Sequence, residues 1–113
     1  MTRRGEAALW VAQRATAVIL ALCVLVHLVT IIYAVRHGLS AAEILGRTRG
    51  NRAWATFYVI FVAAVSVHGA IGLRTVAAEW LRFRGAAAEA ATIVVSLALL
   101  VMGLRAVAAV FGA

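Results

Sequence analysis

The sequence predicts an all-α integral membrane protein with three transmembrane helices, and three observations carry that prediction. The chain of 113 residues is 65% hydrophobic, with a mean hydropathy of +1.03, whereas soluble domains rarely exceed about half apolar. Its charges are segregated. Eleven arginines and four glutamates, with no lysine or aspartate, collect at residues 3–14, 36–52 and 74–89, with Arg105 alone beyond them. Between these zones lie three apolar runs, each approaching the roughly 20 residues that cross a hydrocarbon core. The net charge of +7 does not point to nucleic acid, because the arginines flank apolar runs as they do at the ends of membrane helices. A soluble bundle would need a polar face on each run, and AVILALCVLVHLVTIIYAV (17–35) has none.

The whole chain, 1–113, reads as one membrane-embedded domain. The first helix is expected from about Leu9 to Val35, the second from about Ala53 to Leu81 and the third from about Ala87 to Phe111. Helices satisfy their own backbone groups, which lipid cannot do. Gly38 is expected to end the first helix. Ser40 and Glu43 have the S-x-x-E spacing of a capping box, which predicts a short surface helix through Leu45, broken by Gly46 and Gly50. The connection RFRGAAAEA (82–90) is tight and makes the last two helices an antiparallel hairpin. Trp10, Tyr33, Trp54, Tyr58 and Trp80 fall near helix ends, where interfacial aromatics sit. Arg3, Arg4, Arg14, Arg74, Arg82 and Arg84 fall on the amino-terminal side, and Arg36, Arg47, Arg49 and Arg52 on the other. That balance favours a cytoplasmic N-terminus. The Ala- and Arg-rich, Lys-free composition suggests GC-rich codons and hence a bacterial cytoplasmic membrane.

A single cysteine, Cys23, excludes an intrachain disulfide, a C-x-x-C-H haem attachment and a cysteine-ligated iron–sulfur cluster. It reads as a small buried hydrophobe. The first run is too long, and ends without a small-residue cleavage site, to be a signal peptide.

The histidines carry the chemistry. His27 and His68 lie within the first and second helices, and His37 lies just beyond the first. Neutral imidazole is a common haem ligand; equally, an intramembrane histidine can bridge helices by a hydrogen bond. Ala64, Gly69 and Gly72 surround His68, with 64 and 72 on its own helix face. They leave room for a flat macrocycle or for close helix packing. If Trp10 and Glu79 mark one membrane side, His27 and His68 lie at depths of roughly 26 and 17 Å. That difference of roughly 9 Å is more than a tilt of about 20° removes. Two histidines of one chain then do not grip one iron. A two-fold dimer with its axis along the membrane normal brings each histidine to its own copy at equal depth, giving two haems within six helices.

The residues His68-x-x-x-Gly72-x-Arg74-x-x-x-x-Glu79-Trp80 resemble the second-helix motif of the membrane anchors of succinate dehydrogenases and fumarate reductases. Gln13-Arg14-x-Thr16-Ala17 resembles the opening of that family's first helix. Gln13 stands where the family has histidine, Glu79 where it has aspartate, and Trp10 where it has serine. The resemblance implies that His68 is an axial ligand of haem b. It also implies that Arg14 lies by the quinone and the haem propionates, and that the acidic residue Glu79 lies at the quinone end. His27 is similar to the first-helix ligand of the two-haem, single-chain anchors, so this chain would be half such an anchor, completed by a second copy or by a second anchor chain.

On that resemblance Arg14 and Arg74 are expected at the propionates of an inner haem, Arg36 and Arg105 at those of an outer one, and Ala64, Gly69 and Gly72 against the macrocycle. Gln13, Arg14, Glu79 and Trp80 are expected at the quinone, with Glu43 a second acid on the opposite side. The implied partners are an iron–sulfur subunit and a flavoprotein, which hold the clusters and FAD. The expected function is electron transfer between those partners and membrane quinone. Alternatives are a haem-free anchor whose histidines only bridge helices, and a small transporter or channel subunit, which the few polar residues of the third helix argue against.

Overall fold

The computed structural model describes residues 2–112 and contains only helices among them: α1 (Arg3–His37), α2 (Ala41–Thr48), α3 (Arg52–Trp80) and α4 (Ala86–Phe111). Of these, α1, α3 and α4 are long and apolar enough to cross a membrane. Most of their large side chains are exposed, including Val18, Leu22, Val29, Leu97 and Met102. That outward display suits surfaces solvated by hydrocarbon, where apolar groups gain nothing from being hidden.

The helix ends follow local chemistry. Thr2 accepts a hydrogen bond from Gly5 N, so α1 begins well before the apolar run does. At about 1.5 Å per residue its 35 residues run roughly 52 Å, longer than a hydrocarbon core of about 30 Å. Gly38 ends α1 at φ +135°, a value that costs a side chain dearly. The Ser40–Glu43 capping box is complete, with both reciprocal bonds at 3.2 Å. Gly46 does not break α2 as the sequence led us to expect. It is solvent-exposed within the helix, where glycine costs only about 1 kcal/mol, and the chain turns at Gly50, φ +69°. The α3–α4 turn is closed by Leu81 N and Phe83 N, both donating to Ala77 O, with Arg82 left-handed at φ +56°.

The helix α3 is central. It packs against both α1 and α4, which scarcely touch each other. Gly103 on α4 admits Val62, whose Cγ1 would lie 2.5 Å from a Cβ added there. Ser96 Oγ donates to Ser66 O across the same seam at 3.1 Å. The short α2 docks on the end of α4 through Thr48 Oγ1 to Val110 O (2.7 Å) and Gly50 N to Phe111 O (3.0 Å). The amino-terminal end of α1 and the α3–α4 turn thus share one end of the bundle. The other end holds α2 and both its connections.

Candidate functional site

Two imidazole–hydroxyl pairs lie in the α1–α3 seam. His68 Nδ1 is 3.2 Å from Thr16 Oγ1, and His27 Nδ1 is 3.0 Å from Tyr58 OH. The Thr16 hydroxyl donates its single proton to Ala12 O at 2.7 Å, or to Gln13 O at 3.2 Å. With that proton on Ala12 O its oxygen is left to accept, which pairs it with a His68 ring protonated at Nδ1. The neutral ring then carries its lone pair on Nε2, the form a metal ligand needs. His27 is less constrained, because Tyr58 can donate or accept. Its ring stands edge-on to Tyr58 and Phe61, at 5.7 and 5.6 Å between centroids.

These pairs fix the register: Thr16 is level with His68, and Tyr58 with His27. Eleven residues of α1 separate Thr16 from His27, so the two histidines differ in depth by about 16 Å. The sequence estimate of roughly 9 Å was short because it set Trp10 level with Glu79. Gly72 instead faces Gln13, whose Nε2 would lie 3.5 Å from a Cβ there. This places Glu79 level with the start of α1, near Glu6. At such a separation no single iron meets both histidines of one chain.

A cavity of about 510 Å³ opens beside His68 at the amino-terminal end. Gln13, Arg14, His68 and Arg74 line it together with Glu6, Leu9, Trp10, Ala17, Ile71 and Thr75. Two distant stretches of sequence, at 13–14 and 68–74, are thus brought to one place. The Arg14 guanidinium lies 5.0 Å from the centre of the Trp10 ring, an arrangement that favours a cation. Arg74 lies 3.9 Å from Glu89 on α4. Gln13 Oε1 is buried and has no hydrogen-bond partner among the described residues, an acceptor whose desolvation costs about 1–3 kcal/mol unless something donates to it.

Other expected site residues lie elsewhere. Glu79 and Trp80 end α3 at the same end of the bundle, both exposed, and do not line the cavity. Gly69 faces α4, with Leu99 Cδ1 3.5 Å from where its Cβ would be. Ala64 is buried at 5% exposure. Arg36 and Arg105 are exposed on α1 and α4, and neither lines the groove at the far end. That groove, of about 730 Å³, runs along α1, α2 and α3 between Leu25, Tyr33, Arg47, Trp54 and Tyr58. Arg47 donates to Gly38 O at 2.7 Å and lies over Tyr33. Glu43 is engaged in the α2 capping box. Sequence reasoning gave no role to Glu6, nor to Thr16 and Tyr58 as histidine partners. Their signal was available only as a register: 16 with 68 and 27 with 58 match once two antiparallel helices are aligned.

Residues 2–104 match the family model described as succinate dehydrogenase/fumarate reductase transmembrane subunit. The chain belongs to that family. Comparison with curated proteins and with solved structures returns no match. As a succinate dehydrogenase/fumarate reductase transmembrane subunit it is a multi-pass membrane component of an oxidoreductase complex, and the family implies association with that complex's other subunits.

Proposed function

We propose that this subunit binds haem b and membrane quinone, and passes electrons between an iron–sulfur partner subunit and the quinone. The observation that carries the reading is the Thr16–His68 pair. With the Thr16 proton on Ala12 O, it favours the proton on Nδ1 and leaves the Nε2 lone pair for a ligand, beside a cavity lined by two arginines. This donor set fits a haem: an imidazole lone pair for iron and guanidinium groups for propionates. When bound, haem supplies a one-electron carrier. Thr16 orients the ligand, as partners of metal-binding histidines do. Arg14 and Arg74 would balance the charge of the propionates. At the quinone, Arg14 and the Gln13 amide supply hydrogen bonds to the carbonyl oxygens, with Glu79 and Trp80 at the same end of the bundle.

The second ligand of each iron comes from a second copy of this chain, or from a second anchor chain. In a two-fold dimer, His68 faces His68 and, about 16 Å away along the membrane normal, His27 faces His27. Arg36 and Arg105 reach an outer haem only across such an interface. FAD and iron–sulfur clusters belong to the flavoprotein and iron–sulfur partners, and the setting is a bacterial cytoplasmic membrane with the N-terminus inside.

The test is the haem b content per copy of this polypeptide in the purified complex, by pyridine haemochromogen assay. One haem per chain, with no second anchor present, supports a dimer with both pairs. One haem per two chains leaves His68 as the ligand and returns His27 to helix packing. No haem at all makes the chain a scaffold whose histidines bridge helices.

A further inference from the structure

The cavity beside His68 is rich in cations and has a single acid, Glu6. Of the other glutamates, Glu43 caps α2 at the far end. Glu89 lies beside Arg74 on the α4 side. Glu79 is exposed and outside the cavity lining. Glu6 lies in the first turn of α1, where the positive end of the helix favours a carboxylate, and it is exposed, so it exchanges protons with water. Two turns further along the same face, Gln13 Oε1 is buried without a partner. An orphan acceptor at that position is satisfied by an O–H group, which a quinol has and a quinone lacks. A water-facing carboxyl and, two turns further along, an unpartnered acceptor thus line the same cavity.

We propose that Glu6 is the carboxylate that delivers protons to the bound quinone. This rests on the reading of the cavity as a quinone site. The quinone receives two electrons from the succinate-oxidising partner subunits and two protons. The Glu6 carboxylic acid gives one proton to the nearer carbonyl oxygen, which becomes a hydroxyl, and water reprotonates the carboxylate. The farther oxygen takes its proton from water entering by the same mouth. In quinol oxidation each transfer reverses. The charged groups at this end of the bundle are Arg3, Arg4 and Arg14 on its own helix, with Arg74 and Glu79 on α3.

The experiment uses the intact complex with its flavoprotein and iron–sulfur partners. Succinate-driven reduction of a short-chain ubiquinone and of a short-chain menaquinone is followed across about pH 6 to 9, the range in which a general acid is limiting. Glu6→Gln keeps the shape and removes the proton. It is expected to lower kcat about tenfold or more, increasingly as pH rises and water becomes a poorer proton source. KM and haem content stay within about twofold, and Glu6→Asp recovers most of the rate. A Glu6→Gln complex matching wild type across the range overturns the proposal, as does a larger loss in Glu79→Gln than in Glu6→Gln. If wild type turns over and Glu6→Gln equals it, Glu6 alone loses its role. If wild type reduces neither quinone, the reading of the cavity fails and the proposal with it.

Discussion

Where α3 meets α4, Gly103 admits Val62 so closely that no Cβ would fit between them, and serines pair backbone to side chain across the seam. Where α3 meets α1, two imidazole–hydroxyl pairs and an open cavity occupy the contact instead. The difference separates a close-packed seam from an open, polar one. In lipid there is little hydrophobic drive between helices, so small residues and close van der Waals contact hold a pair together. The α3–α4 seam uses that means, and both intramembrane histidines bond instead across the α1–α3 seam. The α1–α3 seam gives up close packing, and intramembrane polar groups are retained there at a cost that points to function.

The strongest way to break this comparison is to remove the ligand side chain. His68→Ala is expected to abolish the haem at the amino-terminal depth completely, while the α3–α4 hairpin and assembly with the partner subunits persist. His27→Ala should remove at most the other haem and leave the first intact. Haemochromogen content and the reduced-minus-oxidised α band read both variants. Loss of all haem in His27→Ala together with retention in His68→Ala would reverse the assignment.

Gly103→Leu probes the scaffold side. Its added atoms meet Val62 directly, and overpacking of this kind costs about 1–3 kcal/mol. The expected result is a lower melting temperature of the complex with the haem spectrum of the surviving fraction unchanged. A Gly103→Leu complex as stable as wild type, but with altered haem, would place the site on the α4 side.

Thr16→Val removes the hydroxyl paired with His68 Nδ1 and keeps the volume nearly unchanged. Loss of such a partner typically weakens a metal site by about 10- to 100-fold. The variant should therefore lose haem on dilution or against apomyoglobin faster than wild type, with Thr16→Ser restoring retention. Equal haem loss rates would leave the Thr16–His68 contact as packing alone.

These variants also mark what the sequence could tell. Three apolar runs bounded by arginines were enough for an all-helical membrane fold, because the hydropathy of a run is a local property. The Ser40–Glu43 cap and the Gly38 stop were legible for the same reason. Gly46 misled because a glycine's cost is small where nothing else competes with the helix. The histidine depths were misjudged because register depends on which side chains meet across the seam, and Gln13 against Gly72 sets it. Thr16 and Tyr58 resemble ordinary helix residues until their partners arrive from about 30 to 50 positions away. Glu6 was hidden by its place in the charged amino-terminal zone, where an acid at a helix start needs no other explanation.

Within the α1–α3 seam the two histidines differ in turn, and Tyr58→Phe sharpens that last contrast. His68 meets an aliphatic hydroxyl that also bonds Ala12 O at 2.7 Å, an arrangement that favours the Nδ1–H tautomer. His27 meets a phenol free to donate or accept, in a surround of aromatic edges. Removing the phenol oxygen forfeits one hydrogen bond, worth about 0.5–1.5 kcal/mol net, and leaves the ring packing in place. The expected effect is a small loss of thermal stability with the haem of His68 unaltered and, if His27 is a ligand, a modest shift in the midpoint potential of the second haem alone. A shift in both haems would mean that the seam acts as one unit across about 16 Å. A stability loss with no shift in either haem would make Tyr58 and His27 a helix bridge and leave the catalytic end to His68.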